Sequence, residues 1–302
     1  MSIPMQIKGQ YAEKSALFQL FVLLIFVLAG TVLSSLISMS ILYLSCGFSA
    51  TLTEHPDIMR LIQLCSSICT FLLPSLGVAF LCSKNPEKYL SIGSMPSGRI
   101  LLLTLITMLL LSPTISLTGL LNKQLEFPSF MAPIEEWMRD QENLAEKLTM
   151  TLLAGNNFIT LILNLIVIAV AAGITEEFLF RGAIQRIISG WTHNHHLIIW
   201  SAAFLFSTFH MQFFGFLPRL LLGAYFGYLL YWSKNIWIPV FAHFVNNAFA
   251  VLTLSDMNLK KNEFITGDIS MKHLLPYSIL ALITLYLFYL SCKQLKKLLL
   301  ND

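Results

Sequence analysis

Long apolar stretches recur along the chain and are separated by shorter polar segments. A helix needs about 20 apolar residues to cross roughly 30 Å of hydrocarbon. About eight stretches come near that length, at residues 17–44, 59–82, 100–121, 157–175, 197–213, 215–233, 236–255 and 274–292. The pattern predicts an all-α fold, a polytopic transmembrane helix bundle of about eight spans.

The fourth stretch runs directly into the polar sequence EEFLFRGAIQRIIS, residues 176–189. This continuity predicts either one long helix that carries the charged residues towards a membrane surface, or a helix that is broken near Gly173. The charged residues are helical in both cases.

The longest connection, residues 122–155, has a different pattern. Its sequence PIEEWMRDQENLAEKLTM places apolar side chains roughly on one helical face and acidic ones opposite. This pattern predicts one amphipathic extramembrane helix that lies on the membrane surface or caps the bundle. A solvated connecting helix and a substrate lid are the two interpretations of its role.

No internal repeat or separate soluble domain is visible, so residues 1–302 are predicted to form a single membrane domain.

Composition supports lipid as the main solvent. The 302 residues are 56% hydrophobic and 12% charged, whereas soluble domains are about 25% charged. Net charge is +3, from 19 basic and 16 acidic residues without a long basic stripe, which excludes a nucleic-acid partner. The five cysteines have no C-x-x-C spacing and are predicted to be packing residues.

Lysine and arginine near the span ends predict the orientation, because cytoplasmic segments carry an excess of them. With eight spans, both termini share one side. That side holds Lys8, Lys14, Lys84, Lys88, Arg99, Arg186, Lys234, Lys293, Lys296 and Lys297. Both termini are therefore predicted to be cytoplasmic.

Three polar clusters interrupt the apolar spans: EEFLFR at 176–181, FSTFH at 206–210 and HFVNN at 243–247. Residues four apart share a helical face, so Glu177 and Arg181 are predicted to form an ion pair. Glu176 is turned away by about 100° and is left without that partner. His243 and Asn247 also lie four apart. Polar groups in hydrocarbon need partners, so the three clusters are expected to converge.

Three kinds of chemistry fit such a cluster. An unpaired carboxylate can activate water while a histidine orients it and hydrogen-bond donors stabilise the oxyanion. One glutamate and two histidines also match the ligands of catalytic zinc, although the H-E-x-x-H sequence is absent. Proton or ion transport is the third, and it is disfavoured because the histidine-bearing spans all lie in the second half of the chain.

The clusters fit EExxxR, FxxxH and HxxxN, in that order along successive spans. In this the chain resembles the CPBP family of intramembrane proteases, which includes type II CAAX prenyl endopeptidases and bacterial Abi or bacteriocin-processing proteins. The resemblance covers about residues 155–255, which are predicted to be the catalytic core. It implies an intramembrane endopeptidase that hydrolyses a peptide bond of a membrane-associated protein or peptide.

The resemblance also implies roles for the motif residues. Glu176 would be the base that activates water, and His210 would help to hold that water. His243 and Asn247 would form the oxyanion site, while Glu177 and Arg181 would brace the helix. This mechanism requires no cofactor.

Other interpretations stay open beside it. A divalent metal such as Zn²⁺, bound by Glu176, His210 and His243, is the alternative to the cofactor-free mechanism. A non-catalytic membrane protein for bacteriocin immunity or resistance is the alternative function, and a proton-coupled transporter is the less favoured one. The expected partners are membrane lipid and a peptide or protein substrate that reaches the site from the cytoplasmic side. The expected location is a bacterial plasma membrane.

Overall fold

The computed structural model describes residues 7–47, 52–155 and 157–300, and no strand occurs in these ranges. The long helices are α1 (Ala16–Cys46), α2 (Pro56–Cys82), α3 (Gly98–Lys123), α4 (Ala132–Leu153), α5 (Phe158–Ile188), α6 (His195–Phe209), α7 (Phe216–Ser233), α8 (Trp237–Ser255) and α9 (Leu274–Leu299). Short helical turns cover Leu52–Glu54, Pro86–Tyr89, Ser129–Met131, Phe213–Gly215, Met257–Lys260, Glu263–Thr266 and Met271–His273.

Within these ranges seven helices are long and apolar enough to cross a membrane, namely all the long ones except α4 and α6. Helix α6 is apolar but has only 15 residues. It ends at Phe209 rather than at residue 213, because Met211 adopts a left-handed φ of 54° and turns the chain into α7. The predicted all-helical bundle is thus confirmed, with a fifth apolar helix shorter than the sequence indicated.

The outer helices expose apolar side chains. Leu28 and Leu36 of α1 and Leu282 and Ile283 of α9 are all exposed, as are many of their neighbours. Contiguous apolar surface on this scale indicates contact with lipid rather than with water. The protein is a multi-pass membrane protein.

Contacts between the connecting segments define two ends of the bundle. At one end Tyr11 N–H donates to Leu81 O and Ile236 N–H donates to Ser91 O, each at 2.8 Å. We call this end, with segments 83–97, 189–194 and 234–236, the terminal face, because the described chain ends lie with it. The opposite end, with segments 124–131, 210–215 and 256–270, is the loop face, where Asn122 Nδ2 donates to Phe213 O at 2.9 Å.

Helix α4 covers part of the loop face. The Trp137 ring lies 5.3 Å from the Phe213 ring, and the Arg139 guanidinium lies 4.6 Å from the ring of Phe214. The last turn is held by Arg60 of α2, whose Nη2 donates to Leu152 O at 2.7 Å. The predicted amphipathic helix is therefore present, and it caps the bundle.

Helix α5 is continuous, which is the first of the two predicted arrangements. It contains two π-helical segments, Leu165–Ala171 and Phe178–Ile184, on either side of the turn that holds the paired glutamates. Such segments widen a helix and often occur at functional sites. Gly173 does not break the helix. A Cβ there would lie 3.3 Å from Val240 O and Phe244 N, so this glycine lets α5 and α8 approach closely.

Candidate active site

The three polar clusters meet in the interior of the bundle, as expected from the sequence. Glu176 Oε2 of α5 lies 3.8 Å from His210 Nε2 at the end of α6 and 3.9 Å from His243 Nε2 of α8. The side chains are 15%, 28% and 5% exposed, respectively. One carboxylate and two imidazoles from three helices thus face each other in a mostly buried site.

The Nδ1 atom of each imidazole makes a hydrogen bond to an oxygen acceptor. His210 Nδ1–H donates to the carbonyl oxygen of Phe206 at 2.8 Å. His243 Nδ1–H donates to Glu177 Oε1, also at 2.8 Å. A neutral imidazole that donates from Nδ1 has a lone pair on Nε2. A neutral ring therefore presents a hydrogen-bond acceptor to Glu176, and a ring that is also protonated at Nε2 donates from that atom.

Glu177 and Arg181 form the ion pair that their spacing predicts. Arg181 Nη1 donates to Glu177 Oε1 at 2.8 Å, and both side chains are fully buried. Arg181 Nη2 donates to Gly223 O of α7 at 2.9 Å, and the guanidinium lies 4.5 Å from the Phe206 ring. The bond from Glu177 to His243 was not predicted, because it joins residues far apart in sequence. Glu177 thus orients His243 as well as pairing with Arg181.

Two phenylalanines pack against the imidazoles. Phe206 contacts the His243 ring edge to face at 5.9 Å and the His210 ring at 4.9 Å. Phe226 of α7 stacks on His243 with ring centroids 5.2 Å apart. These contacts leave His243 little rotational freedom, and their apolar surface lowers the local dielectric around the polar groups.

Asn247 lies one turn after His243 on the same helix. Its Nδ2 donates to Ile168 O in the first π-helical segment of α5 at 2.8 Å, and its Oδ1 accepts from Asn246 Nδ2 at 3.1 Å. Among the described residues it makes no hydrogen bond to the other motif residues. Its amide group retains one N–H, so the oxyanion role of Asn247 stays a prediction.

The arrangement of acceptors defines what the site can bind. Glu176 Oε2 is buried and makes no hydrogen bond within the described chain. The two Nε2 atoms face this oxygen beyond hydrogen-bond distance. A small molecule with two hydrogens to donate, such as water, satisfies an acceptor on each side and is polarised by the carboxylate.

The alternative metal site has no geometric support in the described residues. No group of three His, Cys, Asp and Glu side chains there is arranged so that it could hold a metal ion. Binding of a metal by Glu176, His210 and His243 stays an alternative prediction. No step below passes through a metal.

The sequence motifs did not point to two ionisable residues, Arg219 and Glu142, that belong to the surroundings of the site. Arg219 of α7 interacts electrostatically with Glu176 and with Glu142 of α4. Neither residue belongs to the three motifs. The signal that could have found Arg219 is a single arginine within the apolar stretch 215–233, since an ionisable residue in a span is by default a functional candidate.

Comparison with known proteins identifies the region that contains the site. Residues 158–249 match the family model described as Type II CAAX prenyl endopeptidase Rce1-like. The matched region is less than half of the chain, runs from α5 into α8, and includes every motif residue. No curated protein and no solved structure matches the chain.

The division into one domain with a core at 155–255 is not tested by this match and stays a prediction.

Proposed function

We propose that the protein is an intramembrane endopeptidase that hydrolyses a peptide bond of a membrane-associated protein or peptide, since residues 158–249 match the family model described as Type II CAAX prenyl endopeptidase Rce1-like. One observation carries the proposal. Glu176 Oε2 lies between His210 Nε2 and His243 Nε2, at 3.8 and 3.9 Å, in a site that is mostly buried.

The proposed reaction begins with water bound to Glu176 and His210. Glu176 accepts one proton, while His210 Nε2 accepts a hydrogen bond from the other hydrogen and orients the oxygen. The hydroxyl oxygen bonds to the peptide carbonyl carbon, and the carbonyl oxygen becomes an oxyanion. Glu176 then passes its proton to the amide nitrogen as the carbon–nitrogen bond breaks. The products are a carboxylic acid and an amine, and Glu176 is again a carboxylate.

The oxyanion needs donors at the opposite side of the carbonyl. The remaining N–H of Asn247 is one donor. His243 is the second in its imidazolium form, in which Nε2 carries a proton taken from solvent before the attack and keeps it throughout the reaction. Glu177 stabilises the resulting imidazolium through its 2.8 Å contact with Nδ1. Donors that are already oriented in a low-dielectric site stabilise developing charge strongly. The buried contacts of Glu177 therefore serve the oxyanion site as well as the fold.

We propose that substrate reaches the site from the loop face, between α4 and segment 210–215. Arg219 interacts electrostatically with Glu176, and Arg219 and its neighbours Gln212 and Glu142 belong to this end of the bundle. Access from the loop face, cytoplasmic termini and a cytoplasmic substrate are not compatible with one another. A reporter fused to the carboxyl terminus tests the orientation: an extracytoplasmic reporter shows that the predicted cytoplasmic termini are wrong, whereas a cytoplasmic reporter shows that access from the loop face and a cytoplasmic substrate do not both hold.

The proposed activity is tested by comparing peptides released from membranes that contain the wild type with those that contain Glu176→Gln. We expect at least one peptide to be released only by the wild type. Glu136→Gln, an exposed glutamate of α4, is the matched control and should release the same peptide. If Glu176→Gln is folded and releases every peptide that the wild type releases, the protein is not this protease, and the non-catalytic immunity function gains support.

The cofactor has its own test. The cofactor-free mechanism predicts that purified protein keeps its activity after dialysis against a chelator. Loss of activity that zinc restores, together with zinc content that falls in His210→Ala, would favour the metal alternative.

A further inference from the structure

Arg219 is an ionised side chain in the apolar helix α7 with most of its donors still available. Within the described chain its hydrogen bond runs from Nη1 to Gln212 O at 3.1 Å, whereas a guanidinium has several N–H donors in a planar fork. A Cβ at Gly215 would lie 2.3 Å from Arg219 Nη2, so this glycine makes room for the guanidinium. The Arg219 guanidinium therefore has further N–H donors that can bind a ligand.

A carboxylate of α4 lies near this guanidinium. Arg139, three residues before Glu142, packs over Phe214 at 4.6 Å, so this face of α4 points to the start of α7. Glu142 Oε2 is buried and makes no hydrogen bond among the described residues. Arg219 interacts electrostatically with Glu142 on one side and with Glu176 on the other. A buried carboxylate oxygen without a donor is unfavourable, so Glu142 is a weak occupant of this position.

A cavity of about 660 Å³ is lined in part by residues of α7 that are close to Arg219 in the sequence. Pro218 and Leu222 of α7, Met150 of α4 and Asn246 of α8 are among the residues that line it. Pro218 directly precedes Arg219, Leu222 follows it by three residues, and Asn246 adjoins Asn247. A cavity of this volume accommodates a few amino-acid residues of a substrate.

We infer that Arg219 binds a carboxylate of the substrate, and that Glu142 occupies this place on Arg219 before the substrate binds. The inference rests on the proposed function. Arginine and carboxylate form paired charge-assisted hydrogen bonds with defined geometry. A carboxylate fixed on Arg219 sets which peptide bond lies at Glu176, so Arg219 determines specificity. The carboxylate is either the carboxyl terminus of the substrate or the side chain of an aspartate or glutamate.

The test uses purified protein in bilayers and a mixed set of prenylated and unprenylated synthetic peptides. Each peptide is made with a free carboxyl terminus and with a terminal amide, and with glutamate or glutamine at its interior acidic positions. Cleavage is followed by mass spectrometry. We expect the wild type to prefer one carboxylate form by roughly 10- to 100-fold in kcat/KM, mainly through KM. A preference against the terminal amide identifies the carboxyl terminus, and a preference against glutamine identifies a side chain.

The variants assign this preference to residues. Arg219→Gln should abolish it while still cleaving the uncharged form, and Arg219→Lys should retain part of it. Glu142→Gln should lower KM for the carboxylate form, because no internal carboxylate competes, and Glu136→Gln should behave as the wild type does. Equal losses of Arg219→Gln on both forms would overturn the inference and leave Arg219 as a residue that positions segment 210–215. Peptide cleavage that Glu176→Gln does not reduce, or no cleavage by the wild type, would instead overturn the proposed function and the inference with it.

Discussion

Glu177 of α5 and His243 of α8 are joined by a 2.8 Å hydrogen bond from His243 Nδ1 to Glu177 Oε1. The same oxygen accepts from Arg181 Nη1 at 2.8 Å. One carboxylate oxygen thus connects the ring that faces Glu176 to a fully buried guanidinium. The orientation and charge of His243 depend on a residue that does not touch the reacting atoms.

Replacing Glu177 with glutamine tests this dependence. The neutral amide no longer stabilises an imidazolium, and its NH₂ group can hold His243 in the other tautomer. We expect kcat to fall by roughly 10²- to 10⁴-fold, with KM little changed, because the substrate does not contact Glu177. Steady-state kinetics on a cleaved peptide measure both. A rise in KM at constant kcat would contradict the orienting role, and Glu136→Gln is the control.

Arg181→Met tests the buried ion pair. The substitution leaves the Glu177 carboxylate buried without its cation, which typically lowers the free energy of unfolding by about 3–5 kcal/mol. Arg181→Met combined with Glu177→Gln removes both charges and keeps an acceptor for His243, so it should recover part of that loss. Thermal unfolding in detergent compares the two proteins. A double variant less stable than the single one would show that the charge on Glu177 is not the source of the destabilisation.

His210→Ala separates chemistry from folding. His210 is more exposed than His243, and among the described residues its hydrogen bond and its ring contact are both with Phe206. We expect the activity to fall by roughly 10²- to 10⁴-fold, whereas the free energy of unfolding should change by about 1 kcal/mol. His193→Ala, in the exposed segment before α6, should change neither quantity. Activity in His210→Ala close to that of the wild type would exclude a role in orienting water.

The features that the sequence predicted are those with short-range causes. Apolar length placed the helices, because every span must satisfy its own backbone hydrogen bonds in hydrocarbon. The four-residue spacing placed Arg181 beside Glu177, because both side chains belong to one helix. Convergence of the polar clusters followed from the unfavourable free energy of leaving polar groups unpaired in lipid.

The features that the sequence did not predict depend on packing between distant segments. The sequence around Glu177 does not indicate His243 as its partner. The contact forms because α5 and α8 pack closely at Gly173, and this packing exists only in the folded bundle. Asn247 lies on the same face of α8 as His243, as predicted. Its side-chain amide nevertheless donates a hydrogen bond to Ile168 O, a carbonyl in the π-helical segment Leu165–Ala171. Arg219 was not predicted because it belongs to none of the three motifs. Helix periodicity carries no information on any of these pairs.

A pH-dependent contact lies on the loop face. His273 Nδ1, Ser270 N and Ser270 Oγ all lie within 3.0 Å of Glu263 Oε2. These hydrogen bonds, that of His273 first, lower the pKa of Glu263 from 4.5 to about 2. Because the folded pKa is depressed, the contribution of Glu263 to stability is fully present above pH 4.5 and is lost as the pH falls towards about 2.

Hydrogen exchange of segment 257–270, corrected for the intrinsic rate, checks this pH dependence. We expect the protection of the Ser270 amide in the wild type to fall across that acidic range. In Glu263→Gln the protection should not change across that range, because the amide side chain does not titrate. Glu126→Gln, an exposed glutamate elsewhere on the loop face, is the control. Equal pH dependence in the wild type and Glu263→Gln would assign the change to other groups.

Arg60 holds the end of α4, and with it the position of Glu142. Its Nη2 donates to Leu152 O and Ala154 O at 2.7 and 2.6 Å, and its Nε donates to Asn164 Oδ1 at 2.7 Å. These carbonyls lie at the carboxyl end of α4, where the last carbonyl groups of a helix have no N–H donors from the helix itself. Removing the guanidinium therefore leaves several buried acceptors without donors.

Arg60→Met should lower the free energy of unfolding by roughly 3–5 kcal/mol and increase hydrogen exchange in the last turn of α4. Arg60→Lys keeps the charge but fewer donors, so its effect should be intermediate. Lys147→Met is the control, because it removes an exposed cation from the same helix. If Arg60→Met leaves exchange in α4 unchanged, the helix is held by its aromatic contacts with Phe213 and Phe214 instead.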